Sequence, residues 1–502
     1  MKHKEWFKLK TYPHIGFPLN IKDKKNITSY IKNKDKVKNH NFMPFIHKTI
    51  SSRKLRKEYD KEGNLLNNGL RKIGDTKKRD IYYSNHYDAN IFSYYGHLIN
   101  IEYEKILLAN NLENVITAYR QIPIIEGDKI IRNKCNIDFA NEVFSFIKNT
   151  PFEETVAITF DIKGFFDNLN HNLLKKSWCS IFGWDKLEED HYNVYKNITK
   201  FSFVEEHKLF ELFKDSIITK TKSGQLRKKK VDKLKYLFNS NAIAFCEKDD
   251  IHIIRKNGLI NKNKYHNGKL RDYGICQGSP ISSVLANIYL LEFDKLINLE
   301  VEKVNGLYRR YSDDMVIVCH KKDRQHFIDL VEYQITNLTK LEIQKKKTQI
   351  FHFYYKTGRL ICGQEFENKL NHNSEKRNFE YLGFSFNGEI VSLKTSSLAK
   401  YYRKLKLNVR RCKYYSSIID NDSNGQIFRK RLYKKFSYIG AKRIKKYRRK
   451  KGTTNEWIVT NQYNWGNYIT YAKLASKTIK NSNIKSQIKK HWKNLNNQIN
   501  ND

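Results

Sequence analysis

The segment Leu307-Tyr-Arg-Arg-Tyr-Ser-Asp-Asp-Met-Val-Ile-Val-Cys319 is the most informative in the chain. It reads as two strands flanking a tight turn that carries the adjacent acids Asp313 and Asp314. A second run, Ala157-Ile-Thr-Phe-Asp161, is short, apolar and ends in a carboxylate, with Gly164 just beyond. That pattern predicts a buried strand that delivers an acid to its end. Adjacent carboxylates repel each other and cost free energy unless a cation sits between them. Strand-end acids that converge from distant positions suit hard divalent ions, which take oxygen ligands and keep positions open for phosphate oxygens.

Outward from these strands, Pro280 to Leu291 reads as a helix with Pro near its first turn and small residues on one face. Residues 86–108 repeat apolar groups at three- and four-residue spacing and also predict a helix. Residues 181–270 are irregular and charged, with the run Arg227-Lys228-Lys229-Lys230, and read as inserted. From about residue 393 the pattern is largely helical and strongly basic. With six prolines in the chain and no Gly/Ser-rich linker or internal repeat, its units should abut closely.

The chain of 502 residues is long enough for two to four domains, and 39% hydrophobic content excludes wholesale disorder. Lys and Arg number 95 against 52 Asp and Glu, a formal charge of +43. Such a surplus repels itself unless a polyanion neutralises it, and nucleic acid is the usual polyanion. An AT-rich genome would inflate Lys, but it does not explain where the charge sits. Residues 391–502 hold 28 Lys and Arg against four acids, and eight of the ten residues from Lys442 to Lys451 are cationic. The expected backbone contacts are Lys442, Arg443, Lys445, Lys446, Arg448 and Arg449. The seven cysteines stand singly, with no C-x-x-C pair, which argues against a disulfide framework and a zinc site. No stretch has the roughly 18 apolar residues of a membrane span, and the beginning of the sequence does not read as a secretory signal. No membrane partner and a cytoplasmic location are therefore expected.

Five motifs in order resemble those of the reverse transcriptase family. Phe160-Asp161-Ile-Lys-Gly-Phe-Phe-Asp-Asn-Leu-Asn-His171 is similar to the first palm motif, and Gln277-Gly278-Ser279-Pro280 to the second. Tyr311-Ser312-Asp313-Asp314 is similar to the third. Leu341 to Thr348 resembles the fourth, and Tyr381-Leu382-Gly383-Phe384 the primer-grip hairpin. The resemblance implies an α+β right-hand polymerase fold of fingers, palm and thumb, with an RRM-like antiparallel palm sheet and a helical, basic C-terminal thumb. It divides the chain into an N-terminal extension (1–70), fingers (71–160), a first part of the palm (161–180), an insertion between fingers and palm (181–270), a second part of the palm (271–390) and the thumb with its RNA-binding region (391–502).

The resemblance also implies two-metal nucleotidyl transfer. Asp161 and Asp313, helped by the carbonyl of Ile162 and by Asp314 as accessory acid, would hold two Mg²⁺ ions, with Mn²⁺ a possible substitute. Phe166 would be a steric gate against a 2′-hydroxyl. Gln277 and Gly278 would border the nucleotide and template base, and Lys347 could protonate the leaving pyrophosphate. Lys72 and Arg79, flanking a Gly-Asp turn, would clamp the triphosphate, with Arg120 a weaker candidate. Tyr381, Leu382 and Gly383 would form the primer grip.

Lys10-Thr-Tyr-Pro-His-Ile-Gly16, Asn85-His-Tyr-Asp-Ala89 and Tyr103-Glu104 resemble the defence-associated "unknown group" of bacterial reverse transcriptases, relatives of group II intron and retron enzymes. That implies antiphage defence, a structured non-coding RNA as template, deoxynucleoside triphosphates and a DNA product as further partners, and a possible homo-oligomer. Two other readings stay open. An RNA-dependent RNA polymerase shares the palm, and a non-catalytic RNA-binding or splicing scaffold would use the basic tail equally well.

Overall fold

Five strands make the central sheet of the computed structural model: β1 (Thr155–Asp161), β2 (Leu307–Tyr311), β3 (Asp314–His320), β4 (Gln349–Lys356) and β5 (Arg359–Gln364). Their order is β2-β3-β1-β4-β5, antiparallel at every pairing. Helices α1 (Ser282–Tyr289) and α2 (Leu291–Lys303) precede β2, and α3 (Arg324–Thr339) links β3 to β4. The β-α-β-β-α-β order of the first four strands is the split βαβ arrangement of an RRM-like palm. The structure describes residues 6–52, 55–66, 68, 70–74, 76–127, 129–221, 223–264, 268–418, 427, 429–442, 444–449, 456–464, 466–480 and 482–501.

Alternation along the strands divides the sheet between two cores. Val156, Ile158 and Phe160 of β1, with Met315, Ile317 and Cys319 of β3, pack into the larger one. Ala157, Val316, Val318, Phe351 and Phe353 face the other, which they share with the helix Asn136–Asn149 and the C-terminal helices. Burial on both faces explains why β1 and β3 read as nearly continuous apolar runs. Each such side chain taken fully from water stabilises the fold by roughly 1.5–3 kcal/mol.

The fingers differ from the division expected at residues 70 and 180. Phe45–Ser52 pairs in parallel with Ser202–Glu205 and antiparallel with Lys77–Tyr83, so one sheet joins three of the expected segments. Nor is 181–270 an irregular insertion. Among the described residues it supplies three α-helices (Glu189–Thr199, Glu206–Phe213 and Ile251–Lys256) and most of a further sheet, in which Ala242–Cys246 lies between His14–Ile15 and Ile217–Lys220, and Leu226–Lys229 forms the edge. Its polar surface masks a small core of its own, including Leu209, Phe210, Phe213, Ile217 and Phe245.

The strands on either side of Gly74 are not the two arms of a hairpin, and Asp75 lies outside the described residues. Arg71–Ile73 pairs with Leu55–Lys57, and Lys77–Tyr83 pairs with Phe45–Ser52, so Lys72 and Arg79 lie on the same arm of one ribbon. The far end of that ribbon docks on the loop after β5. Asn371 Nδ2 donates to the Glu62 carbonyl at 2.8 Å, and the Arg377 guanidinium lies 3.6 Å from the centre of the Tyr59 ring.

Among its described residues, the region 391–502 is helical over Thr395–Ile418, Arg429–Phe436 and three helices from Tyr468 onward. The most basic run departs from that expectation. Ile444–Arg449 is a strand paired with Trp457–Asn464. Like charges four residues apart oppose a helix, and the partner segment is rich in β-branched Ile458, Val459 and Thr460. Lys445, Lys446, Arg448 and Arg449 thus lie on a strand, Lys442 is an exposed residue just before it, and Arg443 lies outside the described residues. Among the described residues no helix is long and apolar enough to cross a membrane.

Candidate active site

Antiparallel register brings the acids together. β1 ends at Asp161 and β3 begins at Asp314, and these two residues are direct partners across the strands. Asp313 precedes in the β2–β3 turn, where its carbonyl accepts the Ile162 N–H at 3.3 Å. The fourth motif is clamped alongside: Gln344 N–H donates to the Asp161 carbonyl at 2.8 Å, and Lys163 N–H to that of Glu342 at 2.9 Å. Lys347, on the short turn Lys345–Lys347, places Nζ 2.9 Å from Asp161 Oδ1. An ammonium expected either to face the nucleotide or to be free surface is therefore paired with a candidate metal ligand.

Asp314 is exposed by surface area yet crowded by surrounding protein. Loss of hydration, then the charges of Asp313 and Asp161, push its carboxyl up to about 6, while Lys347 and Lys394 pull the other way. That repulsion marks a donor set suited to a divalent ion: three carboxylates at one sheet end. The arrangement is open. Among the described residues, the trio of acid and His side chains with ligand atoms all within 4.8 Å is instead Glu188, Asp190 and His191. Those groups are already engaged by Lys34, Tyr95 and Trp178.

A buried network holds the acidic turn, and sequence reading did not find it. Arg310, fully buried on β2, donates to Asp294 of α2 through Nε at 2.8 Å and Nη2 at 2.6 Å. Its Nη1 donates to Asn287 Oδ1 and to the Ser312 carbonyl, both at 3.2 Å. Tyr308 donates its hydroxyl hydrogen to Asp294 at 2.8 Å. Ser312, at φ 62°, shares a hydrogen bond with the Tyr119 hydroxyl at 3.1 Å. The signal in the sequence was an arginine at an inward position of a strand otherwise destined for the core, which demands a buried acid elsewhere.

The nucleotide-side candidates divide. Phe166, half-buried after the left-handed Gly164, accepts the Ile275 N–H at 2.9 Å through its carbonyl, two residues before Gln277. The Gln277 carbonyl in turn accepts the Tyr82 N–H at 2.8 Å, along the edge of the strand that carries Arg79. Gly278 has φ +115°, and a Cβ there would stand 2.9 Å from the Tyr82 carbonyl oxygen. The first obstacle to a side chain at 278 is thus the protein's own fingers strand rather than the template. Lys72 is not brought to this cluster; it pairs with Glu58 at 3.0 Å on the outer ribbon. Arg120 is buried and committed to Glu104 and to the carbonyls of Glu113 and Ile116, a structural clamp.

On the other flank, Tyr381, Leu382 and Gly383 form the turn between Phe379–Tyr381 and Phe384–Phe386, with Leu382 and Gly383 both at positive φ. The Leu382 carbonyl accepts from Asn136 at 3.0 Å, and the Gly383 carbonyl from Lys394 N–H at 3.0 Å. Tyr381 is buried, its hydroxyl has no hydrogen-bond partner among the described residues, and burial followed by the charge of Asp314 raises its phenol above the ordinary value. The turn at Tyr381 to Gly383 therefore lies close enough to the acids to feel their charge.

Among the described residues, the basic region opens a cleft of about 670 Å³ that the run at 442–451 does not line. Lys400, Lys404, Arg431, Lys434 and Lys435 surround it, with the aromatic Tyr401 and Tyr468 and no acid.

Residues 230–386 match the family model described as reverse transcriptase (RNA-dependent DNA polymerase). Right-hand polymerase is the fold class that this palm, its fingers sheet and its acidic strand ends define, and the stretch that matches the reverse transcriptase model takes in β2 to β5 of the palm but not the strand that carries Asp161. No curated protein matches the sequence. Similar solved structures include apo telomerase from Candida tropicalis truncated from its C-terminal domain, at 11% identity and a TM-score of 0.36, over 65% of this chain and 54% of that one. Telomerase from Candida albicans in complex with a fragment of telomeric RNA is similar at 12% identity and a TM-score of 0.35, over 80% and 58%. The chain spans less than two thirds of the length of each.

Proposed function

We propose that the protein is an RNA-directed DNA polymerase that copies a structured non-coding RNA by two-metal nucleotidyl transfer, in antiphage defence. The observation that carries the chemistry is the in-register pairing of Asp161 with Asp314, with Asp313 in the adjoining turn. Asp161, Asp313, Asp314 and the carbonyl of Ile162 would hold two Mg²⁺ ions, with Mn²⁺ a possible substitute. Bound there, the ions would activate the attacking 3′-hydroxyl and neutralise charge on the leaving pyrophosphate.

The chain's own residues do the positioning. Arg310 holds the Ser312 carbonyl and Tyr119 the Ser312 hydroxyl, which ties down the turn that carries Asp313 and Asp314. Lys347, 2.9 Å from Asp161, would follow the departing phosphates as a cation. Phe166, beside Gln277 and Gly278, would lie under the sugar and reject a 2′-hydroxyl. Tyr381 to Gly383 would seat the primer end, and the cationic cleft at Lys400 to Lys435 would grip the duplex backbone. The defence role, the non-coding RNA template, the cytoplasmic location and a possible homo-oligomer rest on the resemblance of the N-terminal motifs to the defence-associated subgroup.

Purification with sequencing of the bound nucleic acid, with and without deoxynucleotides and Mg²⁺, tests the reading. A discrete RNA and a complementary DNA that appears only on addition are expected. Asp313→Asn with Asp314→Asn should lower DNA synthesis at least about a thousandfold, ~4 kcal/mol of barrier, while RNA still co-purifies. DNA synthesis that persists in that variant rules the active site out. Phe166→Ala should admit ribonucleotides, and a wild type that prefers them would make the protein an RNA polymerase.

A further inference from the structure

The module built from 181–270 has a cavity that the polymerase reading leaves unused. It measures about 1180 Å³ and lies between the N-terminal stretch Lys10–Pro13, the fingers strand ending at Tyr83 and residues 234–245. The fingers sheet separates it from the larger core: Tyr82 and Phe203 pack on that core, whereas Ile46, Val204 and Tyr83 pack with the module.

Its lining is cationic. Lys10, Lys48, Lys220 and Lys235 face a single acid, Glu206. That acid is already matched, by Lys48 at 2.9 Å and by the Tyr83 hydroxyl at 3.1 Å. Lys10 has no ion pair among the described residues; burial, with the nearby charge of Lys8, lowers its ammonium to about 8. A desolvated ammonium without a counter-charge is poised for an anion. At the rim Phe238 is 89% exposed, next to Tyr236 at 40%. The edge strand Leu226–Lys229 is exposed along its whole length and carries Arg227, Lys228 and Lys229.

An isolated exposed ring needs no explanation, but a ring at the mouth of a lysine-lined cavity matches one ligand chemistry. Flat π-faces alternating with phosphates describe an unpaired polynucleotide. A duplex would offer no free base to the ring, and an apolar ligand would leave the lysines unanswered. We propose that this cavity docks unpaired nucleotides of an RNA strand, with a base stacked on Phe238 and phosphates at Lys10, Lys220 and Lys235. The edge strand Leu226–Lys229 continues the path. Because binding of this kind needs no catalysis, it stands independently of the polymerase reading.

A 12-nucleotide oligouridylate bearing 4-thiouridine, cross-linked to the full chain at physiological salt and mapped by mass spectrometry, tests it. Adducts are expected within residues 234–246 or 10–13. Phe238→Ala should lower their yield about tenfold. Lys220→Glu with Lys235→Glu should lower it at least as far, while adducts in 391–502 persist and report an intact fold. Adducts confined to 391–502, or a yield in the module that neither variant changes, overturn the proposal. Cross-linking of the matching deoxyoligonucleotide alone overturns the assignment to RNA. Module adducts displaced by polyglutamate but not by unlabelled oligouridylate overturn it in favour of an acidic peptide partner.

Discussion

The palm and the basic C-terminal region handle charge in opposite ways. At the palm, like charges are forced together at the end of a sheet buried on both faces, and a fully buried Arg310–Asp294 pair pins the turn that carries them. In the C-terminal region the cations of Thr395–Ile418 and Arg429–Phe436 spread over exposed helix surfaces around a modest apolar core. The contrast is one of precision. Reacting phosphates need oxygens held to fractions of an ångström, whereas a polyanion is gripped by charge density that tolerates movement.

Breaking the palm's rigidity should have the largest effect. Arg310→Ala leaves Asp294 buried and unpaired and should cost about 3–5 kcal/mol in denaturant unfolding. Replacing both, Arg310→Met with Asp294→Leu, should restore most of that stability but not DNA synthesis, since the Ser312 carbonyl loses its donor. Full recovery of activity in the double variant would show that the network is structural only.

Gly278→Ala comes next. A side chain at φ +115° against the Tyr82 carbonyl should cost about 1–3 kcal/mol and raise the KM for deoxynucleotides, because the fingers strand must move. An unchanged thermal midpoint and KM would remove the fingers strand from the nucleotide site.

The repulsion at the acidic end can be read from pH dependence in metal-free protein. The Asp314 carboxyl sits near 6 when folded, above its ordinary 3.8. A raised carboxyl favours the folded state at low pH, and that contribution is lost as pH rises through the interval between those values. With EDTA present, Asp314→Asn should therefore melt above the wild type at pH 7.5, and the gap should close below pH 4. A gap independent of pH would contradict the crowding.

The smallest effect belongs to the basic cleft. Lys434→Gln with Lys435→Gln should weaken RNA binding and flatten its salt dependence by about 0.7 in slope per lost contact, without altering stability. A steep loss of activity from either change alone would mean that this region holds fixed geometry as well.

These regions also differed in how far they could be read in advance. β1, the β2–β3 hairpin and the helix beginning near Pro280 were legible because a sheet covered on both faces forces near-continuous apolar strands. Asp161, Asp313 and Asp314 were legible as polar ends to such strands. The 181–270 module was not, since its core is small and its exposed edge strand Leu226–Lys229 carries more charge than apolar signal. The pairing of Ile444–Arg449 with Trp457–Asn464 was hidden by a lysine and arginine run that composition alone assigns to either secondary structure. That Lys72 and Arg79 share one arm was not legible, because only the partner strands show that Arg71–Ile73 and Lys77–Tyr83 run on in one direction.

By itself the sequence determined the apolar periodicity, the positions of the acids and the size of the cationic surplus, because these follow from local pattern and counting. The tertiary structure alone decided which charges meet. The pairing of Asp161 with Asp314, the burial of Arg310 against Asp294 and the cation held at Asp161 by Lys347 all join residues far apart in the chain. Strand register and the packing of helices on a sheet set those distances, and neither is encoded within any one segment.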